Sequence, residues 1–408
     1  MALPSSPTRP AASPATAPSP PPAPLLLLLL LPLLALGAAV SGAGACSTDA
    51  DCSLLGVCGP GGTCACDAGW RGADCGVLDL APARRGSGYN RTGEAPPTSS
   101  WGGRVVRDPA DAGLHHLFAA EFTRHCGLDY WSPMSRIIRA ESRTGPAGPF
   151  AFAGEVVGTF AHNPTVDWSA AERQWLLFSI GCAVPQPASC EQPALECAPG
   201  NSNNGESGIT LHTSPDLLSW TRAPGYVLAN GSAGAWDEDT TNPSAYVQAD
   251  GSVVLMYRGC PEGCASIEQL GFATAPAAAG PYARAHAQPI LPNPLEDGFV
   301  WRDARGNWHF LAHSLEPGGG FGDGPKVGRH GFAADLHGQW TFGGAELAFN
   351  TTVRFDDGSS EDFYRRERPQ LLFSEDGAMT PTFLVTGVQS VGSPNSFTLI
   401  QPVRGGAQ

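Results

Sequence analysis

AHNPTV at residues 161–166 and TTNPSAYV at 240–247 decide the fold, because each sets an Asn-Pro turn directly before a short run of strand-forming residues. Looser copies of the same opening are EDGFVWRD at 296–303 and RERPQLLF at 366–373. Each opening is followed by an aromatic-rich second strand: QWLLFSIG, SVVLMYRG, NWHFLAHS and PTFLVTGV in turn. The units also end alike, since AESRTGPAGPF, HTSPDLLSW, ATAPAAAGPY and AADLHGQW place Phe150, Trp220, Tyr282 and Trp340 at intervals of 58 to 70 residues. A period of that length holds about four strands, and such units, each burying its faces against its neighbours, are the signature of propeller blades. Trp101-Gly102-Gly103 followed by LHHLFAAEF supplies a first unit, which makes five. The expected fold class is all-β, a five-bladed β-propeller over 98–403; a six- or seven-bladed propeller and a β-sandwich are the alternatives.

Outside the repeat, composition sets limits. The chain has 408 residues, 42% hydrophobic and 15% charged, enough for one large domain and a small one. Its formal charge is −14 with the acids spread along the chain, a surface that attracts neither nucleic acid nor an anionic membrane. Residues 1–45 read as a signal peptide: a Pro/Ser/Ala-rich leader with a single Arg9, an apolar run from Leu25 to Val40, and Ala43-Gly44-Ala45 as a cleavage site. An uncleaved signal anchor is the competing reading. The remainder is thus expected to be secreted or extracellular, or tethered to a membrane by that anchor. Sequons at Asn90, Asn230 and Asn350 are candidate glycosylation sites on that route.

Six of the twelve cysteines follow the spacing C-x5-C-x5-C-x5-C-x-C-x8-C from Cys46 to Cys75. Thirty residues cannot build an adequate core unaided, so disulfides are expected to hold them. Zinc is the other use of such a cluster, but the export signal implies oxidation and the spacing lacks paired C-x2-C knuckles. CACDAGWRGADC, with Gly69, Trp70 and Gly72 in its last loop, resembles the EGF-like family. That resemblance implies the pairs Cys46–Cys58, Cys52–Cys64 and Cys66–Cys75, and a module able to contact an extracellular protein. The acidic or amide ligands of the calcium-binding variety are missing before Cys46, so no calcium is expected. Residues 76–97, rich in Gly, Pro, Arg and Ser, read as a linker. Of the later cysteines, Cys260 and Cys264 are expected to close a small loop, whereas the pairing of Cys126, Cys182, Cys190 and Cys197 is not readable.

The five units, the Asn-Pro or Asp-containing openings and the GPF and DLLSW turns resemble the five-bladed propellers of glycoside hydrolase family 43 and its relatives. The resemblance implies a carbohydrate partner, no cofactor, and three acids: a base in the first blade, an aspartate that tunes the acid in the third, and an acid glutamate in the fourth. The first unit has no carboxylate, and the third has Asn242 where an aspartate is expected. Glu296 and Asp297 open the fourth unit, Glu367 sits between Arg366 and Arg368 in the fifth, and Asp239 lies just ahead of the third inner strand. Two readings follow. In one, Asp297 or Glu296 works with Glu367 or Asp239 as an inverting hydrolase of arabinan, xylan or fructan type, the arginines keeping Glu367 ionised as base. In the other, Trp101 and Trp301 stack on sugar rings while His162, Asn163, Asn242, Asp297, Arg366 and Arg368 hold hydroxyls, without cleavage.

Other features have plainer expectations. Trp220 and Trp340 read as blade packing, and His309 and His313 as core or channel lining on a strand. GGGFGDGP at 318–325 reads as a surface loop. There is no phosphate loop, no nucleophile elbow and no H-E-x-x-H zinc helix, and no metal site is assigned.

Overall fold

Four of the repeated openings become the start of an inner strand, Ser100–Arg107, Ala161–Ser169, Asp239–Val247 and Leu295–Arg302, and the fifth, from Arg366, lies midway along the longer Ser360–Phe373. These assignments come from a computed structural model, which describes residues 45–193, 195, 207–261, 264, 267–315, 327–343 and 346–406. The expected leader through Gly44, Cys197 and the loop 318–325 lie outside the described residues.

In each of the first four blades, three further antiparallel strands follow the inner one in chain order, giving a four-stranded sheet. The fold is the five-bladed, all-β propeller expected. The aromatic residues that end the units pin the last turn of each blade. Trp220 Nε1 donates to Leu217 O at 3.1 Å, Trp340 Nε1 to Leu336 O at 3.1 Å, and Tyr282 OH to Ala278 O at 3.0 Å. Trp220 also meets Phe118 edge-on, and Trp340 packs against Phe310 and Phe272, so both are packing residues.

A break in register with the neighbouring strand recurs in all five blades, between Trp101 and Arg104, Thr241 and Ser244, Glu296 and Phe299, and Glu367 and Gln370, and opposite Phe178 to Ile180 in blade two. At each break one residue is left-handed: Gly102 (φ 55°), Asn163 (55°), Asn242 (49°), Asp297 (60°) and Arg368 (58°). A Gly or Pro follows every one of them. Gly, Asn and Asp tolerate this conformation best, which is why the motif reads G-G, N-P, N-P, D-G and, exceptionally, R-P. The bulge re-aims one side chain per blade toward the axis.

The fifth blade is completed from the other end of the chain. Its inner strand pairs with Pro381–Ser390, which pairs with Ser396–Pro402. Outside that strand runs the segment 79–89: Ala81 N donates to Pro402 O, Tyr89 N to Thr398 O and Arg404 N to Asp79 O. The stretch 76–97, expected as a linker, is therefore structural. Its backbone groups hold it, and composition does not report those.

The Cys46–Cys75 module belongs to the same unit, Ala43–Gln408. Its disulfides are Cys46–Cys58, Cys52–Cys64 and Cys66–Cys75, the pairs expected. It is not a free contact module, however. Trp70 stacks on Trp301 at 6.1 Å, and a single apolar cluster joins Cys52, Leu55 and Cys75 to Phe299, Trp301, Leu371 and Val403 of blades four and five. Arg305 adds hydrogen bonds to Asp67 and to Leu54 O. Burying one large aromatic side chain in this way contributes about 1.5–3 kcal/mol. Cys260–Cys264 forms as expected, Cys126 pairs with Cys190, and Cys182 is also disulfide-bonded.

Candidate active site

The five left-handed residues meet at the axis. Asn163 Nδ2 donates to Asn242 Oδ1 at 2.7 Å, and Asn242 Nδ2 in turn to Asp297 Oδ1 at 2.9 Å and Glu296 Oε1 at 3.0 Å. Arg368 Nη1 donates to Asp297 Oδ1 at 2.7 Å, and its backbone N to Oδ2 at 3.2 Å. Gly102 takes the fifth place, directly against the Arg368 side chain. The first-blade carboxylate that the family resemblance implies is absent from the ring.

Above this ring Glu296, Asp297, Glu367 and His313 converge, one ligand-type atom of each lying within 4.8 Å of the others, all buried. His313 stands opposite Glu296 on the neighbouring strand, its Nδ1 3.6 Å from Glu296 Oε2. Arg258, from the second strand of blade three, bridges Glu296 Oε1 at 2.8 Å and Glu268 Oε2 at 3.0 Å, and its Nε donates to Thr241 Oγ1. Arg258, Glu268 and His313 were not singled out as site residues by sequence, because they do not open a unit. The strand pairings that bring them in are tertiary facts.

Charge is distributed unequally among the acids. Burial raises Glu296, but Arg258, His313 and Arg368 outweigh it and hold the carboxyl at about 2. Burial also raises Glu367, and neighbouring Glu296 adds to the rise against the pull of His313. Asp297 is raised by burial and Glu296 against the pull of Arg368, and Glu268 is pushed up to about 8 by burial despite Arg258. His313 is lowered by burial, yet Glu367, Glu296 and Asp297 raise it on balance.

Several expectations need correction. Arg366 does not flank Glu367 electrostatically: it points into blade five, where it donates to Thr386 Oγ1, Gln401 Oε1 and Asn350 O, and burial lowers it to about 9. Arg368 is engaged with Asp297. Alternation along a strand turns both arginines away from the residue between them, and the bulge at Arg368 re-aims that side chain toward Asp297. Trp301 is sandwiched between Trp70 and His309 and unavailable to a sugar. Trp101 is 5% exposed and lies flat over Gly387, where a Cβ would come within 2.5 Å of its indole. His162 lies among Phe122, Trp131 and Phe160, hydrogen-bonded to Ser135 Oγ, and burial takes it well below its usual range. Asp239 opens its strand, but approaches Cys264 Sγ at 4.0 Å and is not one of the four converging groups. His309 is core, paired with His330, while His313 lines the acid cluster.

Glu296, Asp297, His313 and Glu367 are also the set that could hold a cation. The Cys46, Cys52, Cys64 and Asp239, Cys260, Cys264 groups could not, because those cysteines are in disulfides.

A cavity of ≈ 1010 Å³ lies elsewhere, at the far ends of the inner strands, beside Arg104, Asp167, Trp168, Tyr246 and Phe373. Its acids are engaged: Asp167 pairs with Arg104, Glu375 with Arg107, and Asp376 caps Ser374 and Ala378. Volume alone does no chemistry, so the acid cluster is the candidate active site.

No family model and no curated protein matches the sequence. Solved structures do match. Zg3597, a family 117 glycoside hydrolase of Zobellia galactanivorans, covers 80% of this chain and 89% of its own, with TM-score 0.53 and 14% identity. The α-L-arabinofuranosidase PaAbf62A of Podospora anserina, solved with cellotriose, covers 81% and 99%, with TM-score 0.54 and 12% identity. A family 62 hydrolase solved with xylotriose covers 80% and 96%, with TM-score 0.52 and 11% identity. The likeness is one of fold.

Proposed function

We propose that the chain is a glycan-directed propeller that hydrolyses glycosidic bonds, with Glu367 as the acid and Glu296 as its ionised partner. The observation that supports this reading is the convergence of Glu296, Asp297 and Glu367 at the inner-strand openings, with Glu296 and Glu367 pushed to opposite sides of the usual carboxylate range. Separated protonation states are what acid–base chemistry on one bond requires. In the step proposed, Glu367 gives its proton to the leaving oxygen as the C1–O bond breaks while Glu296 supports the developing positive charge; water then adds to C1, and its proton returns to Glu367. The role of Glu367 is thus the reverse of the one its flanking arginines suggested. One oxygen of each acid lies within 4.8 Å of the other, a closeness that favours the retaining arrangement, with carboxyl groups about 5–5.5 Å apart, over the inverting one expected from sequence.

The second reading, binding without cleavage, is favoured by one observation: Gly102 stands where a first-blade acid would be. Arabinan, xylan and fructan oligosaccharides, offered to the wild type, Glu367→Gln and Asp297→Asn, separate the two. Turnover by the wild type and its loss in Glu367→Gln support hydrolysis. Glycan affinity without turnover supports binding alone.

We also infer that the Cys46–Cys75 module is EGF-like and that the chain is exported. All the described cysteines are oxidised, as an oxidising compartment would leave them. Asn90 and Asn350 are exposed and Asn230 partly so. Protein made in a secretory host should lose mass on treatment with an N-glycan-removing amidase; unchanged mass would count against this route.

A further inference from the structure

A cleft of ≈ 320 Å³ opens at the edge of blade one, walled by Arg91, Glu121, Arg124, His125, Arg136 and Gln186. Three guanidinium groups and an imidazole line it, on a chain whose formal charge is −14. Arg91 is paired with Glu94 at 2.8 Å and Arg136 with Glu155 at 2.9 Å, so Arg124 is the guanidinium of the wall with no carboxylate partner among the described residues. The wall itself holds a single carboxylate. That carboxylate is already satisfied. Glu121, 1% exposed, accepts from Tyr89 OH at 2.5 Å, Arg91 Nη1 at 3.1 Å and Arg136 Nη2 at 2.6 Å. Arg136 Nε remains buried with no hydrogen-bond partner among the described residues, and an unmet buried donor is destabilising.

The wall is built rather than incidental. Arg124 and His125 are consecutive left-handed residues (φ 55° and 61°), a conformation non-glycine residues hold only when their surroundings impose it. Cys126, next in sequence, is disulfide-bonded to Cys190, and Arg124 Nε donates to Pro187 O at 2.7 Å. These two ties fix the 123–126 turn against the segment carrying Gln186 and leave the Arg124 terminal nitrogens exposed. The cleft adjoins the propeller axis: Phe122, in its floor, stacks on His162 at 6.0 Å, and His162 precedes Asn163 of the inner ring.

We propose that this cleft binds an oxyanion carried by a sugar, the carboxylate of a uronic acid or the sulfate ester of a sulfated hexose. Guanidinium forks match both oxyanions geometrically, and fixed guanidiniums lose little freedom on binding. That a sugar carries the group rests on the glycan reading above; the oxyanion site does not.

The test is calorimetric titration at low ionic strength with methyl glucuronide, glucose 6-sulfate, sodium sulfate and, as neutral control, methyl glucoside. At least one charged sugar should bind at least about tenfold more tightly than the neutral one, the value of one charge-assisted hydrogen bond. Which of the two binds identifies the oxyanion, and sodium sulfate shows whether the sugar is needed. Gln186→Glu should weaken that binding by about tenfold or more with an unchanged unfolding midpoint, its side chain being exposed, and Arg124→Ala, which also loses the tie to Pro187, should weaken it at least as much. Equal affinity for charged and neutral sugars, no binding of either charged sugar, or wild-type binding by both variants would overturn the proposal. Charged-sugar binding without hydrolysis of any glycan would leave the cleft standing and remove the hydrolase reading.

Discussion

Glu367 and Glu296 differ in charge because their neighbours differ. Glu296 has Arg258 at 2.8 Å, whereas Glu367 Oε1 is buried with no hydrogen-bond partner among the described residues. Two consequences are measurable. Hydrolysis should be fastest in acid and fall as pH rises through the raised pKa of Glu367, because only its protonated form donates. Its acid limb should lie near pH 2, where Glu296 gains a proton. Glu367→Gln should lower kcat by about 10²–10⁴-fold and abolish the alkaline limb; a mutant that keeps both would exclude Glu367 as the acid. Glu268, in turn, affects stability. Its folded pKa of about 8 lies above the unfolded value of 4.5, so its protonated form favours folding below pH 4.5 and this contribution is lost as pH rises toward 8. Thermal midpoints measured across that window should decline in the wild type and decline less in Glu268→Gln. Of this cluster, Glu296, Asp297, Glu367, Asn163 and Asn242 were legible in the sequence because they open repeats. Arg258, Glu268 and His313 were not, since each reaches the cluster from a later strand whose register the sequence does not state.

At the scale of the element, the recurring device is the bulge, and it explains both the clear and the faint copies of the motif. N-P at 163 and 242 is conspicuous, whereas G-G, D-G and R-P serve the same left-handed turn with different chemistry. Gly102 is where this can be tested. A Cβ there would lie 2.9 Å from Arg368 Cβ, at a φ of 55°. Gly102→Ala should therefore destabilise the protein by about 1–3 kcal/mol in urea unfolding, and loosen the hold of Arg368 on Asp297. A neutral result would mean that the axial ring yields freely. The segment 76–97 was misread for a related reason. Its Gly, Pro and Ser residues carry no apolar period, and what holds it is backbone pairing with Ser396–Pro402.

For the whole molecule, the disulfide module and the propeller share a core, so the module should act as a stabilising wedge. Trp70 is 6% exposed and stacked on Trp301. Trp70→Ala should cost about 3–5 kcal/mol, seen as one lowered, cooperative unfolding transition. Two separate transitions, with the propeller midpoint unchanged, would show instead that the module stands alone. The fold class and blade count were legible because a repeat of four strands advertises itself in sequence. The docking of the module was not, since Trp70 looks the same in a free module as in a shared core.

The use of 79–89 as the outer edge of the last blade sets an order of events during synthesis. Ser396–Pro402 leaves the ribosome after every other described strand, and until it appears Tyr89, Ser99 and Ser100 lack the partners that Thr398 and Ser396 provide. Ring closure thus joins segments about 300 residues apart in sequence, Tyr89 with Thr398 and Leu80 with Val403. Such pairing is slow to form and leaves strand edges exposed meanwhile. A chain that stops a few residues short of 402 would have five blades' worth of sequence and no closed ring, a state that invites capture by chaperones.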